Sequence, residues 1–328
     1  MLKSILKNCI IVLRVEENIM KKCAVVYNPE SGRPKDKKDI GNISSILAVN
    51  EYETIMCPTS APKDATKIVK NLSDDTDLVI CCGGDGTLNE GVTGNLMRDK
   101  KILMAHLPVG TVNDVGTMYG FTKNMMVNAQ MLLSGSVKNI DVCLINKKPF
   151  VYVACLGSYV DVSYNTPRNL KKKYGRLAYF FNALNELKDS VKLFDLTYEI
   201  NGIKKSGIYS FVFVTNTCRM GGFNNIYSDI KLDDDKFEVI LISAKTKPEL
   251  VRIASMILTS KVKNMPGVEY YKTNNFKVTF DKIPPSWVID GEEYEHNTKT
   301  FEFNINKEIS MLLPKKNIVK LFSTLEEE

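Results

Sequence analysis

Two rhythms of apolar and polar residues run along the chain, and they change over near residue 140. In the first stretch, short apolar runs rich in β-formers take turns with segments whose apolar residues recur at helical spacing. Residues 23–27 predict a buried strand closed by Asn28-Pro29, because proline cannot donate to a ladder and favours a turn. Residues 36–48 carry Ile40, Ile43, Ile46 and Leu47 at helical spacing, residues 52–57 predict a second strand and residues 64–72 a second helix. A third apolar run, residues 77–82, breaks into Gly83-Gly84-Asp85-Gly86-Thr87, and Leu88, Val92 and Leu96 then resume a helical pattern. Residues 102–106 begin a fourth strand that breaks at Pro108-Val109-Gly110-Thr111-Val112-Asn113-Asp114. Strands alternating with helices imply a mostly parallel sheet, with its ligand crevice built from loops at the carboxyl ends of the strands. Those loops are residues 28–33, 58–61, 83–87 and 108–114.

Beyond residue 140 the pieces are strand-like: 141–145, 150–155, 194–200, 208–215, 237–242, 276–280, 287–289 and 300–305, separated by turn signals such as Asn201-Gly202. This predicts an α/β domain over residues 20–140 and a β-rich domain, a sandwich, over 141–305, interrupted by helical insertions near 173–189 and 247–259. Residues 306–328 are expected to pack back on the first domain. Residues 1–19 read as a weakly ordered extension, since Met20-Lys21-Lys22 offers an internal start.

Composition narrows the class. A chain of 328 residues can bury two cores, and 44% hydrophobic with 25% charged residues is ordinary for a globular protein. The net charge of +6 permits attraction to an anionic surface, but no nucleic-acid motif accompanies it. No apolar run reaches the ~18 residues of a membrane-spanning helix. The eight cysteines lack Cys-x-x-Cys spacing and lie mostly in apolar runs, so they read as buried, reduced thiols of a cytoplasmic protein.

The glycine loop carries the first chemistry. Gly83, Gly84 and Gly86 can take φ > 0 and let an anion approach the main chain at a helix N-terminus, a setting that suits a phosphate, and Thr87 can cap that helix. Asp85 would repel the phosphate unless a divalent cation lies between them. No Gly-x-x-x-x-Gly-Lys-[Ser/Thr] occurs, and Asn89 stands where a dinucleotide fingerprint needs its third glycine.

Gly83-Gly84-Asp85-Gly86-Thr87 instead resembles the nucleotide loop of diacylglycerol, sphingosine and NAD kinases and phosphofructokinases. Leu88-Asn89-Glu90 narrows the resemblance to the bacterial diacylglycerol-kinase-like lipid kinases. Asn28-Pro29-Glu30-Ser31-Gly32, Thr59 and Pro108 to Asp114 match that family's other loops, and its Gly-Asp-Ala appears as Lys63-Asp64-Ala65 with the glycine lost. Asn139-Ile140-Asp141-Val142 resembles the interdomain segment. Gly157 and Asp161 resemble the family's Gly-Phe-Asp turn, and Asn216 with Gly221-Gly222 its glycine-rich loop. The resemblance implies a Rossmann-like nucleotide domain, a β-sandwich domain and an active site in the cleft between them. It implies that Asn28, Pro29, Glu30, Ser31, Gly32, Thr59, Gly83, Gly84, Asp85, Gly86, Thr87, Leu88, Asn89 and Thr111 hold ATP, and that Asp85 holds a catalytic Mg²⁺.

Ile289-Asp290-Gly291-Glu292 places two carboxylates either side of a glycine after an apolar strand. Alternation would put Asp290 and Glu292 on one face, and Asp-Gly alone predicts a type I′ hairpin turn. The resemblance implies that Glu292 is the general base for the acceptor hydroxyl, with Asp141 and Asp290 orienting that network. It also implies a structural Mg²⁺ held by Asp234 and the carbonyls of Lys231 and Lys236, although Asp235 stands where the family has glycine. His106 reads as a satisfied core residue. The basic run Arg168, Lys171, Lys172, Lys173 and Arg176 suits a solvated helix start or an interfacial patch on anionic lipid.

The implied activity is phosphorylation of the hydroxyl of diacylglycerol or a related lipid to a phospholipid product, phosphatidate, at the inner face of the membrane by peripheral contact. A homodimer is compatible with the sequence, which leaves the oligomeric state open. An NAD-kinase-like enzyme and a non-enzymatic lipid- or nucleotide-binding protein are the alternatives.

Overall fold

Each apolar run of the first half becomes a strand of a parallel sheet. In the computed structural model, which describes residues 20–29, 32, 34–110, 113–157, 191–217, 219–220, 223–224, 230–257 and 265–323, β1 (Lys21–Tyr27) lies between β2 (Tyr52–Pro58) and β3 (Leu78–Gly83). On its other side β3 pairs with β4 (Leu103–Pro108), and all of these pairings are parallel. β3 is buried at every residue, as a strand covered on both faces must be, which is why Leu-Val-Ile-Cys-Cys-Gly is apolar without alternation. Packed with this sheet are α1 (Pro34–Val49), α2 (Asp64–Lys70), α3 (Asp85–Leu96), the short α4 (Asp114–Met118) and α5 (Met125–Leu133). They bury Ile43, Leu47, Val69, Leu88 and Leu132 in the shared core.

The second half supplies β5 (Ser136–Ile145), β6 (Lys148–Phe150), β7 (Val153–Gly157), β8 (Phe194–Ile200), β9 (Ile203–Tyr209) and β10 (Phe211–Thr215). A two-residue pair β11 (Arg219–Met220) and β12 (Phe223–Asn224), β13 (Phe237–Ile242), helix α6 (Lys247–Ile257) and β14 (Val268–Thr273) follow. The chain closes with β15 (Phe276–Phe280), β16 (Trp287–Ile289), β17 (Glu292–Tyr294), β18 (Thr300–Leu313) and α7 (Ile318–Leu321). One sheet, β14-β13-β10-β7-β16-β17, is wholly antiparallel. It packs over a core that includes Tyr198, Phe237, Phe276, Trp287 and Phe303, with the Trp287 and Phe303 rings 5.3 Å apart. The expected sequence of an α/β unit followed by a sandwich is the observed fold.

The opposing sheet of the sandwich is the parallel sheet continued. β18 pairs antiparallel with β15 and β5 along its length and parallel with β4 at Met311–Met104, so the order runs β2-β1-β3-β4-β18-β15-β8-β9. A bulge between Asn306 and Ile309 marks the passage from one half to the other. β18 therefore runs on to Leu313 rather than stopping at 305. Beyond it, Asn317 Nδ2 donates to Met118 O (2.7 Å) and Leu232 N–H donates to Leu321 O (2.8 Å).

Two predicted strands divide. Residues 150–155 split between β6 and β7, and 208–215 between β9 and β10, and in each case the two products belong to different sheets. At the second corner Ser210 donates N–H and Oγ–H to Ile242 O. A run with uniform β-propensity says nothing of where it changes sheet. β14 and β17 are not among the expected strands, although Val268, Tyr270, Tyr271 and Thr273 are β-formers. The predicted helix over 173–189, the basic run at 168–176, Asp161, Gly221 and Gly222 lie outside the described residues, and the helix near 247–259 is described as α6. Cys23, Cys81 and Cys143 are free and buried, and burial pushes the Cys81 thiol up to about 12.

Candidate active site

Main-chain bonds draw the strand-end loops together. Thr59 N–H donates to Tyr27 O (2.8 Å), next to Asn28 and Pro29, and Val109 N–H donates to Gly83 O (2.9 Å). Gly32 is exposed at φ 84, a left-handed conformation that favours glycine, while Glu30, Ser31 and Thr111 lie outside the described residues. Gly84 caps α3 in extended backbone (φ −84, ψ −176), and the helix starts at Asp85. Positive φ is therefore not what Gly83, Gly84 and Gly86 provide, since none of them adopts it. Gly83 provides room, since a Cβ there would collide with Thr87 Oγ1, and Gly110 lets the neighbouring loop approach, since a Cβ there would come within 2.7 Å of Gly84 Cα. Thr87 sits in the first turn with its hydroxyl against Gly83 rather than capping the helix, and the Leu88 side chain is core. The first amide returned to the helix is that of Leu88, to Gly84 O (3.2 Å), so those before it have no intrahelical acceptor and suit a phosphate.

Asp85 is buried and accepts from the N–H groups of Asp114 (3.1 Å) and Val115 (3.3 Å) at the start of α4. It thus ties the glycine loop to the loop after β4. Asp114, quoted in the sequence motif without a role, accepts from Tyr152 Oη at 2.7 Å.

Asp290 is 3% exposed and collects three consecutive amides, from Val151 (2.8 Å), Tyr152 (2.9 Å) and Val153 (2.9 Å), at the corner between β6 and β7. Asn89 Nδ2, on α3, donates to the same carboxylate and to Pro149 O (3.4 Å). Asn89 therefore bridges to the β-rich half. Burial pushes the Asp290 carboxyl above the usual carboxylate range, against the pull of these donors. Asp290 (φ 50) and Gly291 (φ 88) form the two-residue type I′ turn between β16 and β17, with Ile289 opposite Glu292. Strand alternation does not apply across a turn, so Asp290 points into the protein while Glu292 is exposed. Lys148 lies beside this turn, its Nζ 4.6 Å from the Tyr294 ring centre. Burial and the Lys63 charge push its amine down, while Asp290 and Glu292 act the other way. Lys148 thus supplies positive charge near Glu292, with Lys63 close enough to Lys148 to repel it, a use the sequence patterns did not reveal.

Asp141 stands apart from Asp290. It accepts from Asp235 N–H (2.7 Å), Asn216 Nδ2 donates to its carbonyl (3.2 Å), and burial pushes its carboxyl up to about 6. Its place is with the 231–236 loop, not with the Glu292 turn. In that loop Asp235 adopts φ 59, the left-handed conformation that glycine would take, so the turn survives the replacement. Asp234 Oδ2 pairs with Lys272 Nζ (2.6 Å), and its Oδ1 is buried with no partner among the described residues. An orphaned buried carboxylate oxygen fits a hard cation. Lys231 Nζ itself donates to the carbonyls of Val319, Lys320 and Phe322, which pins the loop to the C-terminal turn.

Glu90 was quoted only as part of a motif, yet its Oε1 accepts from Lys63 N–H (2.9 Å) and its Oε2 from Ala65 N–H (3.2 Å). Lys63 takes φ 68 in the place of the family's glycine, so this turn is also preserved. Asp64 accepts from Ser60 and Ala61 and is held down to about 2 by these bonds, which orders the loop after Thr59.

The diacylglycerol kinase catalytic domain model matches residues 22–145, and the YegS C-terminal NAD kinase beta sandwich-like domain model matches residues 155–307. A diacylglycerol kinase of Bacillus subtilis (strain 168) is 30% identical over 305 residues, covering 92% of this chain and 99% of that protein. One of Staphylococcus haemolyticus (strain JCSC1435) is 29% identical over 299 residues, with coverage of 90% and 89%. The crystal structure of a diacylglycerol kinase from Bacillus anthracis str. Sterne matches with a TM-score of 0.76 at 21% identity, covering 90% of this chain and 97% of that one, which establishes the shared fold. The chain belongs to the bacterial diacylglycerol-kinase-like lipid kinase family, and by that membership it is a kinase.

Proposed function

We propose that the protein transfers the γ-phosphoryl group of ATP to the hydroxyl of diacylglycerol, giving phosphatidate, at the inner face of the membrane. The carrying observation is that Asp290, in the Asp290-Gly291-Glu292 turn, accepts from Asn89 on the helix that the glycine loop opens. This supports a position for the exposed Glu292 near a phosphate-suited helix end. Phosphoryl transfer is mostly positioning and charge stabilisation, so the roles follow from placement. The loops at Asn28 to Gly32, Thr59, Gly83 to Asn89 and Thr111 hold ATP. Glu292 accepts the proton of the attacking hydroxyl, and Lys148 and Lys63 offset charge on the phosphates. Asp85 would hold Mg²⁺, which when bound neutralises charge on the phosphate oxygens. Asp234 with the carbonyls of Lys231 and Lys236 would hold a structural Mg²⁺.

In this reading residues 20–140 bind nucleotide, residues 141–305 bind lipid, and 306–328 return to the first unit. Among the described residues no helix is long and apolar enough to cross a membrane, so contact with lipid is peripheral in this proposal. The test is transfer of label from γ-labelled ATP to diacylglycerol in detergent micelles, with NAD as a competing acceptor. Glu292→Gln should keep ATP binding and lose ~10²- to 10⁴-fold in lipid phosphorylation, the usual contribution of a general base. Label in NAD alone, or wild-type turnover by Glu292→Gln, would sink the reading.

A further inference from the structure

We propose that Tyr152 is a positioning residue that fixes the Asp290-Gly291-Glu292 turn relative to the loop carrying Asp85. The proposal rests on the reading above, in which Glu292 serves an acceptor hydroxyl at the glycine loop.

Tyr152 occupies the corner where the chain leaves β6 in one sheet for β7 in the other. It acts in two directions. Its N–H donates to Asp290 Oδ1 (2.9 Å), flanked by the amides of Val151 and Val153 on the same carboxylate. Its Oη donates to Asp114 Oδ2 (2.7 Å), and Asp114 N–H donates to Asp85 Oδ2 (3.1 Å). Asp85 opens α3, and Asn89, one turn along, returns to Asp290. The bonds therefore close a ring from α3 through α4, the β6–β7 corner and the β16–β17 turn, back to α3.

Every side chain that Tyr152 joins in this ring is hidden from solvent: Asp114 is 0% and Asp290 3% exposed, and Tyr152 itself is 3% exposed. Such bonds are charge-assisted and are not screened by water, so they hold geometry tightly. The two-residue turn transmits that geometry, because both of its central residues have positive φ and little freedom to absorb a shift before Glu292. Without the Tyr152 hydroxyl, the corner keeps its grip on Asp290 but loses its anchor to α4. Glu292 then moves relative to the glycine loop, and a misplacement of ~1 Å can lower a rate by ~10²-fold.

The experiment compares wild type with Tyr152→Phe, which deletes one oxygen and keeps both the ring and the N–H. Turnover of diacylglycerol should fall on the order of 10-fold or more, while KM for ATP stays within about 2-fold. A purely structural hydroxyl would lower the unfolding midpoint without this split, and unchanged kcat in Tyr152→Phe would overturn the proposal. Hydrogen exchange keeps the two readings separate. If the wild type phosphorylates no lipid, the functional reading falls. Faster exchange over residues 150–155 and 287–294 in Tyr152→Phe would then still support the anchor, and unchanged exchange would overturn it.

Discussion

The two halves of the site each hold a buried carboxylate with backbone amides, and they arrive there by opposite routes. Asp85 belongs to a strand, loop and helix contiguous in sequence, and the amides it accepts come from the next strand-end loop, 29 and 30 residues on. Asp290 sits in a two-residue turn and accepts amides from a corner 137 to 139 residues earlier. Parallel strands deliver their ends to one edge whatever follows, so the first half builds a crevice by topology. The second half must bring a corner and a turn together by closing a sandwich, and its carboxylate serves as the fastener.

Removing each fastener tests this contrast. Asp290→Ala leaves three amides of a buried corner without acceptors, a loss on the order of 3–5 kcal/mol where a buried, hydrogen-bonded charge is deleted. Because burial already strains the ionised form, the lower end is expected. Asp85→Ala deprives two amides that bond at 3.1 and 3.3 Å at a helix N-terminus, and it should cost roughly half as much. Urea unfolding of both variants measures the difference. A larger loss from Asp85→Ala would mean that the first half depends on long-range closure as much as the other.

The contrast also explains what could be read in advance. β1 to β4, their loops and the glycine-loop helix were legible because periodicity and turn residues lie next to the elements they specify. Asn89 and Glu90 were visible as letters, but Asn89's bridge to Asp290 and Glu90's hold on Lys63 and Ala65 exist only once α3 meets β6 and α2. Tyr152 sat inside what reads as one strand, and only the corner shows that its amide and hydroxyl serve different partners. Strand alternation misplaced Glu292 because a turn intervenes, and Asp141, assigned to that turn, is bonded instead to the 231–236 loop.

Acid should act on His106 and Asp290 in opposite senses. His106, buried in β4, donates Nδ1–H to Cys81 O (3.1 Å), but its Nε2 has no partner among the described residues, so it is only half satisfied. Burial lowers it from 6.5 to about 4. It stays neutral when folded while the unfolded chain takes up a proton below 6.5, so stability is lost as pH falls through this window. At ~1.4 kcal/mol per tenfold change in proton affinity, the loss approaches about 3 kcal/mol by pH 4. Asp290, with its carboxyl raised, instead becomes less of a burden as pH falls. In His106→Gln, stability measured by urea at pH 7 and pH 4.5 should differ by about 2 kcal/mol less than in wild type. Equal pH dependence in the two proteins would show that His106 takes up its proton in the fold as readily as in the unfolded chain, and that burial does not hold it neutral.

The smallest effect comes from the two residues that stand in left-handed backbone where the resemblance supplies glycine, one in each half. Lys63 (φ 68) precedes α2, and Asp235 (φ 59) follows Asp234. A left-handed residue with a Cβ costs roughly 1–2 kcal/mol, and aspartate bears this better than lysine because its short polar side chain bonds locally. Glycine removes that strain but loosens the unfolded chain by ~0.5–1 kcal/mol. Lys63→Gly keeps the backbone N–H that donates to Glu90 and removes a charge that opposes Lys148, so stability should hold or rise by up to ~0.5 kcal/mol. Asp235→Gly has less strain to release and loses the contact of Asp235 with Lys307 (2.7 Å), which contributes little between two exposed side chains. It should therefore lose stability slightly. Thermal unfolding of the pair decides the matter by sign. If Lys63→Gly is the less stable variant, the Lys63 side chain contributes to the fold, and the proposed offset of phosphate charge is not its whole role.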